Sequence, residues 1–268
     1  MERNEKCFCG SGKKYKNCHV NINKDSIVAD FIMFYKKLDE KISTELDEKK
    51  RVLCKQGCSE CCSDFFAITE VEFLIIIDYL VKAKGNEYVE EIIKKGLRAD
   101  KKFKSTFPDY YKQLEVNADG VSNIEYARLI CDNMPNKQGV ECPFLNSETK
   151  SCDVYEVRPI ICREHGICAF NNKYDNKICS KIPSMKDNIN NMISIEQLID
   201  EQINLEKYTS KKYNTCIIRR KYPIFYYFKI YFAENNLNDY INHPIQKMLR
   251  KLTKEKFINE IIKIRLGE

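Results

Sequence analysis

Four cysteines lie within nine consecutive residues of this chain: Cys54, Cys58, Cys61 and Cys62. Three more follow at even spacing much further along: Cys142, Cys152 and Cys162. A thiolate is a soft, anionic ligand, and such clustering is what a thiolate-bound metal or an iron–sulfur site needs. The pattern therefore predicts a metal-held region of irregular loops at the centre of the fold.

The remaining sequence indicates where such a site would operate. The amino terminus, Met1 to Lys6, is charged and lacks the apolar stretch of a secretory signal. The longest apolar run, Phe73 to Ile77, is far too short to span a bilayer. We therefore expect a cytoplasmic protein in which the 14 cysteines stay reduced and serve as metal ligands. The alternative, a secreted disulfide scaffold, is disfavoured by the length of the chain and the missing signal.

Composition divides the 268 residues into three regions. Residues 1–22 are rich in Cys and Lys and hold almost no apolar residues, so a metal must fold them if anything does. Residues 24–183 contain the cysteine cluster. Residues 184–268 contain one cysteine, Cys216, and show helical spacing of apolar residues. We expect a small zinc module, a metal-binding domain and a helical carboxy-terminal region.

Apolar spacing and capping signals predict helices in most of the chain. Behind Asp25 or Ser26 as N-cap, apolar residues recur at helical intervals: Ile27, Phe31, Phe34, Leu38, Ile42 and Leu46. Thr69 and Glu72 form a capping box before a buried helix over residues 71–81, which Gly85 ends.

Further helices are predicted over residues 86–97 and from a capping box at Ser194 and Gln197 to about Tyr208. The tail carries two amphipathic sets: Ile245, Leu249, Leu252, Phe257, Ile261 and Ile264. No alternating strand pattern of convincing length is present. The predicted fold is mostly α, with helices around an irregular cysteine-ligated metal core and a small N-terminal zinc module.

Residues 7–19 contain a complete ligand set for structural zinc. The set is three thiols and one imidazole: Cys7, Cys9, Cys18 and His19. Gly10-Ser11-Gly12 lets the chain turn tightly between the two pairs. The segment resembles the SEC-C motif, the zinc-binding module of the SecA translocation ATPase, over about thirteen residues. That resemblance implies zinc held by these four residues and a docking role toward protein partners.

The central pattern, Cys-x₃-Cys-x₂-Cys-Cys followed by the three later cysteines and Arg158-Pro159, resembles the YkgJ-like cysteine-cluster family. That family is described as zinc- or iron-chelating, and the flagellin lysine N-methylase FliB is a relative with the same kind of cluster. The resemblance spans residues 54–168. It implies metal ligation by seven residues: Cys54, Cys58, Cys61, Cys62, Cys142, Cys152 and Cys162. Cys168 or Cys179 is expected to supply an eighth ligand.

Ligand type alone leaves the metal open, because thiolate tetrahedra suit both zinc and iron–sulfur. An all-sulfur set of more than four ligands favours a [4Fe–4S] cluster, and a second zinc is the alternative. Arg158 and Arg163 are expected to neutralise the anionic cluster or donate to its sulfurs, unless they form a surface salt bridge. His165 is expected to be an exposed or outer-sphere residue more often than a ligand.

Three function classes are compatible with these features. The first is a cytoplasmic metal-binding protein with a zinc module and a central cluster. The second is an S-adenosylmethionine-dependent protein lysine N-methylase of the FliB type, although no methyltransferase-type Gly-rich turn is visible. The third is an adaptor docked by its zinc module to the ribosome or a translocation component. A net charge of +6 is mildly basic and does not by itself indicate nucleic-acid binding.

Overall fold

The structure is a computed structural model that describes residues 2–48, 57–115, 135, 139–165, 168–169, 193–211 and 221–252. Within these residues there are nine α-helices: α1 (Ile27–Glu48), α2 (Glu70–Lys84), α3 (Asn86–Thr106), α4 (Pro108–Glu115), α5 (Ile160–Glu164), α6 (Glu196–Lys211), α7 (Ile224–Phe232), α8 (Leu237–Asn242) and α9 (Pro244–Lys251). Four two-residue strands accompany them: β1 (Ala67–Ile68), β2 (Cys168–Ala169), β3 (Ile193–Ser194) and β4 (Tyr222–Pro223). The predicted mostly α fold is confirmed.

Helix α1 forms where the apolar spacing predicted it. Ser26, not Asp25, is the cap, because its Oγ accepts the Ala29 N–H at 3.3 Å. Phe31, Phe34 and Leu38 are fully buried, so one face of α1 packs on the core while its other face is polar.

Helix α2 is the central element of the core. Thr69 and Glu72 form the predicted capping box, and the helix ends at Gly85. Its apolar residues are buried on every side: Val71, Phe73, Leu74, Ile75, Ile76, Ile77 and Leu80. A helix that is apolar all round must be enclosed by other elements, which here are α1, α3 and α7.

Close packing of α3 against α7 depends on a glycine. A Cβ atom built on Gly96 would lie 2.2 Å from Cγ of Phe228, so only glycine allows this approach. Helix α3 also runs nine residues beyond the predicted end at residue 97, and Phe103 in this extension is fully buried.

Short strand pairs connect distant parts of the chain. Strand β1 pairs antiparallel with β4, with Ala67 opposite Pro223, and β2 pairs parallel with β3. The buried apolar cluster runs from Ile22 to Leu249, so the predicted second and third regions contribute to one core. No helix in the described part of the chain is long and apolar enough to cross a bilayer.

Some predictions differ from the structure or fall outside it. Ser194, predicted as a helix cap, lies in β3, and α6 begins at Glu196. The second tail set, over residues 257–264, lies outside the described residues, as do Cys54, Cys131, Cys179 and Cys216. The division into three regions stays a prediction.

Candidate metal centres

The four predicted N-terminal ligands converge on one point. Their donor atoms, from Cys7, Cys9, Cys18 and His19, all lie within 4.8 Å of one another. His19 Nδ1 is 3.2 Å from the sulfurs of both Cys7 and Cys18, and the Cys9 and Cys18 sulfurs are 3.5 Å apart. A tetrahedral ion with Zn–S bonds of about 2.3 Å sets its sulfur ligands about 3.8 Å apart. The donor set and its spacing therefore fit one zinc ion.

Burial prepares the imidazole of this set for metal binding. The pKa of His19 is lowered to about 4 by burial and by the nearby Lys82 charge, so its ring is neutral at neutral pH. Burial raises the pKa of Cys7 to about 12. For Cys9 burial acts in the same direction, but hydrogen bonds with Ser11, Cys18 and Cys7 together outweigh it and lower the thiol pKa. Metal binding must therefore displace a proton from Cys7 but none from the histidine.

The N-terminal module is packed against the helices. Tyr15 Oη donates to the Ile22 carbonyl at 2.6 Å, and Ile22 is part of the core. Gly10 has a φ of +72°, a conformation that favours glycine, and it lies against the end of the Lys36 side chain of α1. Asn23 then donates from its backbone N–H to the Arg250 carbonyl at 2.7 Å. The module is thereby anchored to both α1 and α9.

Six of the predicted central ligands line one cavity of about 70 Å³: Cys58, Cys61, Cys62, Cys142, Cys152 and Cys162. Of the other predicted ligands, Cys54 lies outside the described residues. The backbone of Cys168 is in β2, and its side chain is not described. The structure thus brings together cysteines from two segments separated by about 80 residues of sequence. Their role as ligands stays a prediction.

Local structure places the two segments around this cavity. A 3-10 turn, Glu60–Ser63, carries Cys61 and Cys62. The Cys142 N–H donates to the Cys62 carbonyl at 2.8 Å, which joins the two segments directly. Cys152 forms an isolated antiparallel bridge with Leu145, so a tight turn holds Cys152 close to Cys142.

The capping carboxylate of α2 positions the third part of the cavity wall. Glu72 Oε2 accepts the Thr69 N–H at 2.7 Å, and Glu72 Oε1 accepts the Ile160 N–H at 2.9 Å. Ile160 is the first residue of α5, the short helix that carries Cys162. One buried carboxylate therefore caps two helices and fixes Cys162 relative to α2.

Comparison with protein families gives two matches. Residues 53–180 match the CxxCxxCC family, whose description is "Putative zinc- or iron-chelating domain". Residues 3–19 match the SEC-C motif. We refer to these two matching segments as the CxxCxxCC domain and the SEC-C motif. No curated protein and no solved structure matches the chain significantly. Metal binding is the function that these matches support.

The thiols of the CxxCxxCC domain sit in surroundings that disfavour a bare negative charge. Burial raises the pKa of Cys142 to about 12, and it raises that of Cys162 well above the ordinary thiol value. The pKa of Cys61 is raised by its hydrogen bond with Cys62 and then by burial. Cys61, Cys142 and Cys162 are therefore protonated at neutral pH unless a cation compensates their charge.

The two arginines of this domain have different surroundings. Arg163 is only 1% exposed and donates to the carbonyls of Arg158 and Glu156 at 2.9 and 2.8 Å. Its third nitrogen pairs with Asp39, and its plane lies over the Tyr35 ring. Arg163 thus fastens the α5 loop to α1 and is not among the residues that line the cavity. Arg158 does line the cavity.

Sequence reasoning did not single out two acidic residues of the site. Asp64 lines the cavity and accepts a hydrogen bond from His165 Nε2 at 3.1 Å, which gives His165 a partner beside the site. Asp39 pairs with Arg163 from the polar face of α1. The position of Asp64, two residues after Cys62, was an available signal, whereas an acidic residue on a helix surface gives none.

Proposed function

We propose that this protein holds two different metal centres, one zinc ion in the SEC-C motif and one iron–sulfur cluster in the CxxCxxCC domain. The observation that carries the proposal is the convergence of six cysteines on one cavity. The proposed cluster ligands come from this set and from the remaining predicted cysteines, which are Cys54 and either Cys168 or Cys179.

The donor chemistry and the room available fit a cluster of several metal atoms. A cavity of about 70 Å³ is several times the roughly 10–15 Å³ that one water molecule requires. Among the described residues, the SEC-C set is the one group with three or more His, Cys, Asp or Glu donor atoms within 4.8 Å of one another. Wider spacing of the central sulfurs suits thiolates bound to different iron atoms better than thiolates sharing one zinc.

An iron–sulfur cluster at this position would supply one-electron redox chemistry and would cross-link the two cysteine segments. The protein's own contribution is to gather the thiols at one cavity, to line that cavity with apolar side chains, and to fix Cys162 through Glu72. Aromatic and aliphatic side chains form those walls: Phe66, Phe144, Val154 and Ile224. Charges interact more strongly beside such apolar walls than in open water.

Metal analysis of full-length protein purified without oxygen tests the proposal. We expect about one zinc and about four irons per chain, a brown colour and visible sulfur-to-iron absorption. A result of about two zinc ions and no iron per chain would mean that the central site binds a second zinc ion and not an iron–sulfur cluster. Absence of bound metal would contradict both sites. Calorimetric titration with S-adenosylmethionine tests the methylase alternative, for which binding is required.

A second candidate function, an adaptor that docks through the SEC-C motif, is favoured by one observation. Lys13, Lys14 and Lys16 are exposed on the module and form no ion pair with any described residue. Such lysines would suit an acidic protein surface or ribosomal RNA. Co-sedimentation with ribosomes, compared between the wild-type chain and a variant with these three lysines changed to Glu, tests it. Unchanged sedimentation of the variant would contradict docking through this surface.

A further inference from the structure

The wall of the central cavity contains one positively charged side chain among the described residues that line it, Arg158. The other lining side chains are thiols, apolar groups, a tyrosine and the carboxylate of Asp64. Metal-bound thiolates give such a site excess negative charge, and in a buried place that charge is poorly screened by water. Arg158 is therefore placed to compensate the negative charge of a metal site here. This inference rests on the proposed function.

Arg158 keeps hydrogen-bonding capacity that its neighbours do not use. Its Nε atom is buried and has no hydrogen-bond partner among the described residues. Its Nη2 atom is 3.9 Å from Asp39 Oδ1, which is beyond hydrogen-bonding distance. An unpaired buried guanidinium donor is costly, so an acceptor is expected in this position.

The side chain is nevertheless held in place. The Arg158 guanidinium lies over the Tyr155 ring, 4.0 Å from its centroid, and Tyr155 also lines the cavity. The carbonyl of Arg158 accepts a hydrogen bond from Arg163 Nε at 2.9 Å, which fixes its backbone. The stacking and the backbone hydrogen bond hold the guanidinium in place, while its Nε donor has no partner among the described residues.

The thiols supply the acceptors that are missing. Arg158 and Cys152 line the same cavity, together with five other cysteines. Once a metal binds and the thiols ionise, their sulfurs become strong acceptors next to this donor. Arg163 offers no such donor, because its nitrogens are engaged by Asp39 and two backbone carbonyls.

We propose that Arg158 donates a hydrogen bond to a metal-bound sulfur of the central site and stabilises its negative charge. For an iron–sulfur cluster, the reduced form carries one more negative charge than the oxidised form. Arg158 then stabilises the reduced form more and raises the reduction potential. For any thiolate-bound metal, the same contact increases affinity. Arg158 acts as a positioning and charge-compensating residue, while Arg163 is structural.

The test compares the full-length chain with Arg158→Met, Arg158→Lys and Arg163→Lys after anaerobic reconstitution with iron and sulfide. Methionine keeps an unbranched stem against Tyr155 but removes charge and donors. We expect Arg158→Met to lower the reduction potential and to speed loss of iron to a chelator by about 10–100-fold. Arg158→Lys should fall between it and wild type. Arg163→Lys should lower the melting temperature without moving the potential.

Each outcome separates this inference from the proposed function. If the wild-type site takes up zinc and no iron, zinc affinity measured by chelator competition replaces the potential, with the same order among variants. If the wild-type central site binds no metal, the proposed function itself is wrong. If Arg158→Met and Arg158→Lys both keep wild-type potential and metal retention, the inference is wrong although the site exists. Should the methionine variant fail to fold, Arg158→Lys decides alone.

Discussion

The SEC-C motif and the CxxCxxCC domain bring sulfur atoms together by different means. The four SEC-C ligands come from thirteen consecutive residues, and their donor atoms lie within 4.8 Å of one another. The central cysteines come from segments about 80 residues apart, joined by a backbone hydrogen bond and a buried carboxylate. A local ligand set needs little scaffold, whereas a distributed set depends on the packing of the helices that support it.

The largest expected effect is loss of metal from one site alone. Cys18→Ser should reduce the zinc affinity of the SEC-C motif by more than about 100-fold. Loss of a residue that hydrogen-bonds to a metal ligand lowers affinity roughly 10–100-fold, and loss of the ligand itself lowers it more. Cys152→Ser should empty the central site in the same way. Metal content of each variant, measured by elemental analysis, checks this.

The control for these variants is Cys216→Ser, because Cys216 stands alone in the sequence and is not among the predicted ligands of either site. Equal metal content in all three variants would refute the ligand assignments. Loss of both metals from either ligand variant would mean that the two sites are not independent, and the contrast between local and distributed construction would fail.

Removing the central metal should loosen both cysteine segments at once. The Cys142 N–H bonds to the Cys62 carbonyl, so neither segment can move freely without the other. Hydrogen-exchange protection around Cys58 and around Cys152 should fall together after chelation, while amides of the SEC-C motif keep theirs. Loss confined to one segment would indicate two independent central sites and would favour zinc in at least one of them.

Glu72 allows the helix scaffold to be weakened without touching a ligand. Glu72→Gln leaves one of two buried N–H donors, on Thr69 or Ile160, without an acceptor. We expect a loss of about 2–3 kcal/mol in the free energy of unfolding and weaker central metal binding, with unchanged zinc in the SEC-C motif. Urea titration checks the first effect and chelator competition the second.

The matched control for Glu72→Gln is Glu40→Gln, which removes an exposed i,i+4 pair with Lys36 and should change stability by less than about 0.5 kcal/mol. Equal weakening of both metal sites by Glu72→Gln would show that the distributed site has no special dependence on this carboxylate.

The sequence was more informative for local features than for distributed ones. The cap at Thr69 and Glu72 and the core face of α1 follow from spacing, since both depend on residues three or four apart. The second role of Glu72, which accepts the Ile160 N–H from 88 residues away, has no local signal. Likewise the pattern predicted that Arg158 and Arg163 both lie beside the metal, whereas in the structure Arg163 pairs with Asp39.

A pH-dependent effect is expected where α9 meets α2. Burial raises the pKa of Glu70 from 4.5 to about 8, against a lowering contribution from its hydrogen bond with Gln246. Because the folded-state pKa is the higher one, this stabilisation is complete below pH 4.5 and is lost as pH rises toward 8. The slope is at most about 1.4 kcal/mol per pH unit.

Glu70→Gln should remove this dependence, since the amide does not ionise and can donate to the unpaired Gln246 Oε1. We expect the variant to be more stable than wild type at pH 8 and of similar stability near pH 4.5. Helix α9 also accepts the Asn23 N–H that follows the SEC-C motif, so amides near Asn23 should be better protected in the variant at pH 8. Parallel pH curves for the two proteins would contradict this account.

The smallest expected effect comes from Gly96→Ala, which tests how far the central site depends on helix packing. The new Cβ would lie 2.2 Å from the Phe228 ring, and that ring packs 5.8 Å from Phe144 in the cavity wall. Overpacking costs about 1–3 kcal/mol, and better helix propensity offsets about 1 kcal/mol. We expect a net loss of about 1 kcal/mol and faster metal release from the central site only. Glu90→Ala on the exposed face of α3 is the control, and equal metal release in both variants would mean that the α3–α7 contact does not reach the cavity.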